Sequence, residues 1–165
     1  MATEIRYGHV GGGKWGRRHP VAATQYFHPR GSHFVYFDSS GHVTLALTNT
    51  ATLGGWACVP TTFEPGSTAD ANGYWTSSAT AGADKIFVIQ DITAIYHCPT
   101  TAAGGLSVQA RIGELSDIVG VNDGTAQYVT PGTNTTDVLI NMGLIPGETN
   151  EILVRINEVK VQKDT

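Results

Sequence analysis

A run of three glycines that ends in Lys14 has the composition of a phosphate-binding loop. Such loops need the spacing Gly-x-x-x-x-Gly-Lys-Ser/Thr between an apolar strand and a helix, because loop amides and the helix N-terminus hold the phosphates. Here Trp15 follows the lysine, and neither an apolar strand nor a helical pattern flanks the run. The sequence therefore predicts no nucleotide site.

Six histidines and two cysteines are of the right residue types for a zinc site. Zinc ligands usually come in close pairs, such as Cys-x-x-Cys or His-x-x-x-His on one element. The chain shows neither of these pairs. We therefore expect no metal ion, and no pattern in the chain implies another cofactor.

Three carboxylates lie near predicted strand ends, at Asp38, Asp91 and Asp117. Hydrolysis would also need a nucleophile, for which Ser39 and Ser40 are the available hydroxyls. These serines precede a glycine, however, and serine beside glycine is what a tight turn alone selects. Because a Gly-x-Ser-x-Gly motif is also missing, we expect a protein that is not an enzyme and has no catalytic residues.

Aromatic rings beside polar side chains are typical of sugar-binding modules, in which a ring stacks on the pyranose. Trp56 lies among apolar strand residues and is expected in the core. Tyr74 and Trp75 lie in a long polar segment and remain as a candidate surface-loop contact. They are the only platform for a glycan that the sequence suggests.

The basic residues are concentrated near the N-terminus. Five of the ten Lys and Arg fall in the first thirty residues, and residues 31–165 hold five basic against thirteen acidic side chains. Residues 8–20 are rich in glycine and have too few spaced apolar residues to bury a face of their own. We therefore expect residues 1–32 to form an extended N-terminal arm that gains its order from a partner. The residues expected to contact that partner are Arg6, Lys14, Trp15, Arg17, Arg18, Tyr26, Phe27 and Arg30.

A period of two dominates the rest of the sequence. Residues 33–38 and 42–48 are β-rich runs around a Ser-Ser-Gly connection, which predicts a hairpin. In the second run Val43, Leu45 and Leu47 alternate with more polar residues, so one face should be buried. A charged fraction of only 15%, with 20 glycines and 21 threonines, is typical of a β protein with many turns.

Further strands are predicted at 56–59, 86–89, 92–98, 106–112, 117–121, 137–142 and 152–157. Residues 60–84 are small and polar and are expected to form a long loop of the kind that often makes contacts. The fold class is therefore all-β, with one β domain over residues 33–165 and about nine short strands. The pattern is compatible with a small antiparallel sandwich and with a barrel.

The chain begins without the basic and apolar regions of a signal peptide, and no apolar run approaches the roughly 20 residues that span a bilayer. We expect a soluble protein made in a cytoplasm, with no membrane partner. The net charge of −4 argues against nucleic acid as a partner of the β domain. Cys58 and Cys98 each lie in a strand-like run, which is compatible with two reduced thiols or one disulfide, and we favour the thiols.

The C-terminal half contains a series of strand motifs: Ile112-Gly113-x-x-x-Asp117-Ile118-Val119, Gln127-Tyr128-Val129, Asp137-Val138-Leu139-Ile140 and Val154-Arg155-Ile156-Asn157. This succession, over roughly residues 86–160, resembles the capsid decoration (cement) proteins of tailed bacteriophages. The resemblance implies a β domain bound in many copies to the major capsid protein, as a homodimer or homotrimer, with an extended segment that clamps neighbouring subunits. It also implies a virion location, on the capsid exterior, for a protein made in the host cytoplasm.

Such a decoration protein would resist the outward push of packaged DNA, since each copy contributes modestly and many copies add up. The alternative function is a carbohydrate-binding β module on the virion surface that serves host adhesion. These two functions are compatible with one another, because a surface decoration can also bind glycans.

Overall fold

The computed structural model describes residues 7–28, 30–59, 74–101, 111–131 and 136–162. The described residues contain thirteen strands and, near the end, the 3-10 helix Glu158–Lys160, so the predicted all-β class is confirmed. The strands are β1 Gly8–Gly11, β2 Gly16–Pro20, β3 Tyr26–Phe27, β4 Phe34–Phe37, β5 Val43–Leu45, β6 Gly55–Cys58, β7 Trp75–Thr76, β8 Lys85–Ile89, β9 Ile95–Pro99, β10 Leu115–Val119, β11 Tyr128–Pro131, β12 Leu139–Leu144 and β13 Glu151–Ile156.

Eleven of these strands form two antiparallel sheets that pack as a sandwich. The six-stranded sheet has the order β1-β9-β13-β12-β10-β11, and the five-stranded sheet has the order β2-β8-β6-β4-β5. The strands β3 and β7 pair with each other as a separate two-stranded ribbon. Of the two architectures compatible with the sequence, the structure has the sandwich.

The predicted hairpin is confirmed, because β4 and β5 pair antiparallel with Val35 opposite Leu45. Successive residues of a strand face opposite sides of a sheet. Phe34 and Trp56 therefore face the six-stranded sheet, whereas Val35 and Ala57 face the other side. The five-stranded sheet is buried on both faces, which explains the apolar residues at consecutive positions of its central strands.

Aromatic rings lie at the centre of the core between the two sheets. Trp56 is 3% exposed and stacks on Tyr96 of β9, with ring centroids 5.0 Å apart. The predicted interior position of Trp56 is confirmed. Cys98 is buried in the same core and Cys58 packs against it, and both thiols are free.

The other face of the five-stranded sheet is covered by the β3–β7 ribbon. Phe27 of β3 is 1% exposed, and the centroid of its ring lies 5.5 Å from that of Trp75 in β7. The neighbouring Tyr26 pairs with Thr76 and is half-buried. The prediction that Phe27 contacts a partner is therefore wrong, because its ring fills a second core within the chain.

The predicted N-terminal arm, residues 1–32, is built into the fold over residues 7–28 and 30–32. β1 pairs with β9, β2 with β8 and β3 with β7, in each case antiparallel. For these residues the prediction of an arm that needs a partner for its order is wrong, because their backbone amides and carbonyls find partners in the same chain. Residues 1–6, which include Arg6, lie outside the described residues.

The predicted loop over 60–84 falls mostly outside the described residues, which resume at Tyr74. Within 74–84 the structure places β7 and a turn region in which the Ser78 amide donates to the Asp84 carboxylate (2.6 Å). Most of the strand predicted over 106–112 also lies outside the described residues. The other predicted strands are present, with bounds that differ by up to three residues.

His33 lies where the two cores meet, with its ring in contact with those of Phe27 and Trp56. Burial lowers the pKa of His33 below its ordinary 6.5, since the protonated ring would lose its hydration. Burial also lowers the pKa of His19 and of His28. The unfolded chain therefore binds more protons than the folded chain once the pH falls below 6.5.

We expect the free energy of unfolding to be highest above pH 6.5, to decrease as the pH falls below 6.5, and to level off below the lowered folded-state pKa values. The slope should reach up to about 1.4 kcal/mol per pH unit for each histidine involved. Urea unfolding at a series of pH values measures this slope of the unfolding free energy against pH. His33→Gln should reduce the slope, because it removes one of these titrating groups. An unchanged slope in His33→Gln would contradict this assignment.

Candidate protein interface at the Trp15 loop

Two connections cross between the sheets at one end of the sandwich. Residues 12–15, here called the Trp15 loop, lead from β1 in the six-stranded sheet to β2 in the five-stranded sheet. Residues 90–94, here called the crossover turn, lead in the opposite direction, from β8 to β9. Because β1 pairs with β9 and β2 with β8, the two connections lie side by side.

Four hydrogen bonds fasten the Trp15 loop to the crossover turn. The Gly13 amide donates to Oγ1 of Thr93 (2.9 Å), and the Trp15 amide donates to Oδ2 of Asp91 (3.3 Å). The Trp15 carbonyl accepts from the amides of Gln90 (2.9 Å) and Asp91 (3.1 Å). Hydrogen bonds from Thr93 and Trp15 lower the pKa of Asp91, so this carboxylate stays ionised at neutral pH.

Close approach to the crossover turn explains why the Trp15 loop is rich in glycine. A Cβ on Gly12 would lie 1.8 Å from the carbonyl oxygen of Thr93, and a Cβ on Gly13 would lie 1.9 Å from Oδ2 of Asp91. Gly12 also has a φ of +70°, in the left-handed region that favours glycine. The glycines therefore permit close contact between the two connections and do not mark a segment without order of its own.

The Trp15 side chain projects from this fastened loop and is 63% exposed. Apolar side chains on the flanking elements are also exposed, with Val10 of β1 at 54% and Ile92 of the crossover turn at 42%. Large aromatic side chains that become buried on binding supply much of the energy of protein interfaces. This end of the sandwich therefore has the composition of a protein-binding surface.

Three cations accompany the exposed tryptophan. Lys14 lies in the Trp15 loop, and Arg17 and Arg18 lie in β2, all three on the surface. Because β2 is the edge strand of the five-stranded sheet, charged side chains there discourage the addition of a foreign strand. Guanidinium groups at such a position can also form paired hydrogen bonds with the carboxylates of a partner.

The structure brings together four of the eight predicted contact residues, namely Lys14, Trp15, Arg17 and Arg18. Arg30 is exposed at the opposite end of β9, where it lines a cleft together with Pro99. Phe27 is buried in the second core, with the half-buried Tyr26 beside it. The eight predicted contact residues therefore do not form one surface, and four of them lie in the Trp15 loop and the strand that follows it.

The aromatic pair Tyr74 and Trp75 is half-buried. Tyr74 packs edge-on against Tyr26, with ring centroids 5.3 Å apart, and its ring abuts Gly124. Trp75 packs against Phe27. Because both rings already contact other residues of the chain, they present less free surface to a sugar than the sequence suggests.

The three carboxylates considered for hydrolysis all accept hydrogen bonds from other residues of the chain. Asp38 accepts hydrogen bonds from two amides of its own hairpin connection, and Asp91 holds the Trp15 loop. Asp117 is buried and accepts the hydroxyl of Thr136. Within the described ranges, no group of three or more His, Cys, Asp or Glu is placed to hold a metal ion.

The 3-10 helix Glu158–Lys160 has three residues, far fewer than a bilayer requires. Over the part of the chain that the structure describes, no helix combines the length and the hydrophobicity needed to cross a membrane.

In comparisons with known proteins the chain matches no family model, no curated protein and no solved structure.

Proposed function

We propose that the protein is a structural protein of a tailed-phage virion, which decorates the capsid exterior and stabilises it by bridging subunits of the major capsid protein. The observation that carries the proposal is Trp15, a ring that is 63% exposed on a loop held by four hydrogen bonds. An exposed tryptophan on a fixed backbone contributes little to the core of its own chain, so a partner accounts for its position best. The resemblance of the C-terminal strand motifs to decoration proteins supports the choice of partner.

The fixed backbone of the Trp15 loop favours binding. A segment that becomes ordered only on binding loses roughly 1–2 kcal/mol of conformational entropy per residue. The Trp15 loop is ordered before it meets a partner, so more of the interaction energy of the ring appears as affinity. Many copies on one capsid lattice then add their individual contributions to the stability of the shell.

The residues around Trp15 indicate the chemistry of the surface that it contacts. Lys14, Arg17 and Arg18 make this end of the sandwich cationic, although the whole chain has a net charge of −4. We therefore propose an acidic surface on the major capsid protein, with an apolar recess for the ring. Self-association as a homodimer or homotrimer, and synthesis in the host cytoplasm before attachment, belong to the same proposal.

Trp15→Ala should weaken binding to capsids that lack the protein by about 30-fold or more, because truncating a central interface tryptophan typically costs about 2 kcal/mol or more. Co-sedimentation of the purified protein with heads of its own phage measures the occupancy. Val159→Ala removes another exposed apolar side chain, 77% exposed on the 3-10 helix, and should bind like the wild type. Circular dichroism checks that both variants remain folded.

Three results would count against the proposal in different ways. Equal occupancy of wild type and Trp15→Ala would exclude the Trp15 loop as the contact. Failure of the wild-type protein to co-sediment with heads would overturn the virion function itself. Affinity for DNA that falls steeply with salt would indicate nucleic-acid binding through the cations instead.

A further inference from the structure

A cleft of about 520 Å³ opens where the end of β9 meets β11. Three strands separate β9 from β11 in the order of the six-stranded sheet. The sheet is nevertheless curved enough for Thr100, just after β9, to form a parallel bridge with Val129 of β11. The Thr101 amide donates to the Val129 carbonyl (3.1 Å), and the Thr100 amide donates to the Asn150 carbonyl (2.7 Å). Backbone hydrogen bonds therefore fix the walls of the cleft before any ligand binds.

Tyr7 forms one wall and is held by a carboxylate next to it. Its hydroxyl donates to Oε1 of Glu151 (3.2 Å), and its ring lies edge-on to that of His97, with centroids 5.2 Å apart. The other oxygen of Glu151, Oε2, lies 2.6 Å from Nε2 of His97. Burial, together with the charge of Glu151, raises the pKa of Tyr7 to about 12, so the phenol keeps its proton and remains a donor. Both oxygens of Glu151 are thus engaged within the chain.

The remaining walls combine ring surfaces with neutral polar groups. Tyr128 lies opposite Val119 in the pairing of β10 and β11, and because Val119 is exposed, the Tyr128 ring lies on the outer face of the sheet. Rings of this kind stack on the C–H face of a pyranose, while hydroxyl and amide groups bond its hydroxyls. The ring surfaces that line the cleft belong to Pro99 and Tyr128, and the neutral polar side chains are those of Thr100, Thr101 and Asn150.

Arg30 narrows the class of ligand. It lines the cleft and is exposed, and a guanidinium group in such a position can bind a carboxylate through two parallel hydrogen bonds. We propose that the cleft binds a pyranose that carries a carboxylate, with the ring stacked on Tyr128, the carboxylate on Arg30 and the hydroxyls on Thr100, Thr101 and Asn150. This site lies at the far end of β9 from the Trp15 loop, so it does not depend on the capsid function.

The isolated, isotope-labelled protein can be titrated with glucuronate, galacturonate and N-acetylneuraminate and followed by NMR. We expect at least one of these acids to bind with a Kd on the order of 1 mM, with shifts centred on residues 99–101, 128 and 150. Arg30→Gln should weaken that binding by about tenfold, the effect of losing a charge-assisted pair. Asn150→Ala, at an exposed position, should weaken it by about fivefold, and circular dichroism checks that the variant remains folded.

Arg111→Gln is the matched control, because it removes an exposed guanidinium that pairs with Glu114 outside the cleft. It should change the affinity by less than about twofold. Binding of glucose or galactose as tight as that of the acids would overturn the assignment of Arg30 to a carboxylate. Absence of binding by all three acids, or equal losses in Arg30→Gln and Arg111→Gln, would overturn the site.

Discussion

Replacing Gly12 by alanine should destabilise the protein by about 3 kcal/mol and separate the Trp15 loop from the crossover turn. A residue with a Cβ at a φ of +70° costs roughly 1–2 kcal/mol, and the new Cβ would lie 1.8 Å from the Thr93 carbonyl oxygen. Backbone atoms cannot rotate away as the end of a side chain can, so the loop must move. That movement breaks the bonds from Gly13 to Thr93 and from Trp15 to Asp91, each worth roughly 0.5–1.5 kcal/mol or more.

Gly11→Ala is the matched control for this prediction. A Cβ on Gly11 would lie 4.0 Å from Cδ1 of Ile95, an ordinary van der Waals contact, and its φ is not in the left-handed region. Urea unfolding gives the stability of both variants, and hydrogen exchange of the Gly13 and Trp15 amides reports on the loop. Equal stability and equal protection in the two variants would show that the loop is not held as described.

Gly12→Ala also tests whether binding to capsids requires a Trp15 loop that is ordered before it meets its partner. If binding to capsids depends on an ordered Trp15 loop, Gly12→Ala should lower occupancy even though every side chain of the contact surface is unchanged. The loss should approach that of Trp15→Ala, since the entropy of ordering the loop returns as a cost of binding. Unchanged occupancy of Gly12→Ala would indicate that the loop becomes ordered on the partner.

The strands of the central core could be predicted from the sequence because their signals are local. β8 is a continuous apolar run and β5 alternates apolar and polar residues, and both patterns are visible within a few positions. The β4–β5 hairpin needed only the turn residues between two such runs. The interior position of Trp56 followed in the same way from its neighbours in the strand.

The first strands could not be predicted, because edge strands carry weak hydrophobic signals. β2 has the sequence Gly-Arg-Arg-His-Pro and is held by backbone pairing to β8 on one side only. Charged side chains suit such an edge, since they discourage pairing with another sheet. The two arginines that suggest an arm are therefore equally compatible with an edge strand. Only the pairing of β2 with β8, which the three-dimensional structure shows, distinguishes an edge strand from an arm.

The residues of the candidate site were easier to predict than its rigidity. Trp15 was predicted as a contact residue because it lies in a glycine-rich and cationic segment, and the same reasoning named Phe27, which is buried. The residues that fasten its loop, Asp91 and Thr93, lie 76 and 80 positions further along the chain from the amides that they accept. The hydroxyl of Thr93 donates to Asp91 (2.6 Å) within the crossover turn, a local pattern typical of turns, but nothing in one sequence says which segment such a turn will hold.

Gln127 joins the two sheets and uses all four hydrogen-bonding positions of its side-chain amide. Its Oε1 accepts from the Phe34 amide (2.9 Å) and from the hydroxyl of Ser32 (2.8 Å). Its Nε2 donates to the carbonyls of Phe34 (3.0 Å) and Ala46 (2.7 Å). The residue is 2% exposed, so water cannot replace these partners if the amide is removed.

Gln127→Leu should therefore destabilise the protein by about 3–5 kcal/mol, a large share of the roughly 5–15 kcal/mol that stabilises a domain of this size. The leucine has a similar volume, but it leaves the Phe34 amide and the Ala46 carbonyl buried without these partners, at about 1–3 kcal/mol each. Gln162→Leu is the matched control, since Gln162 bonds the amide and carbonyl of Phe37 (2.7 Å each) from a half-buried position. Water can reach that site, so its loss should be about 1 kcal/mol. Urea unfolding compares the two, and equal losses would show that burial does not set the cost.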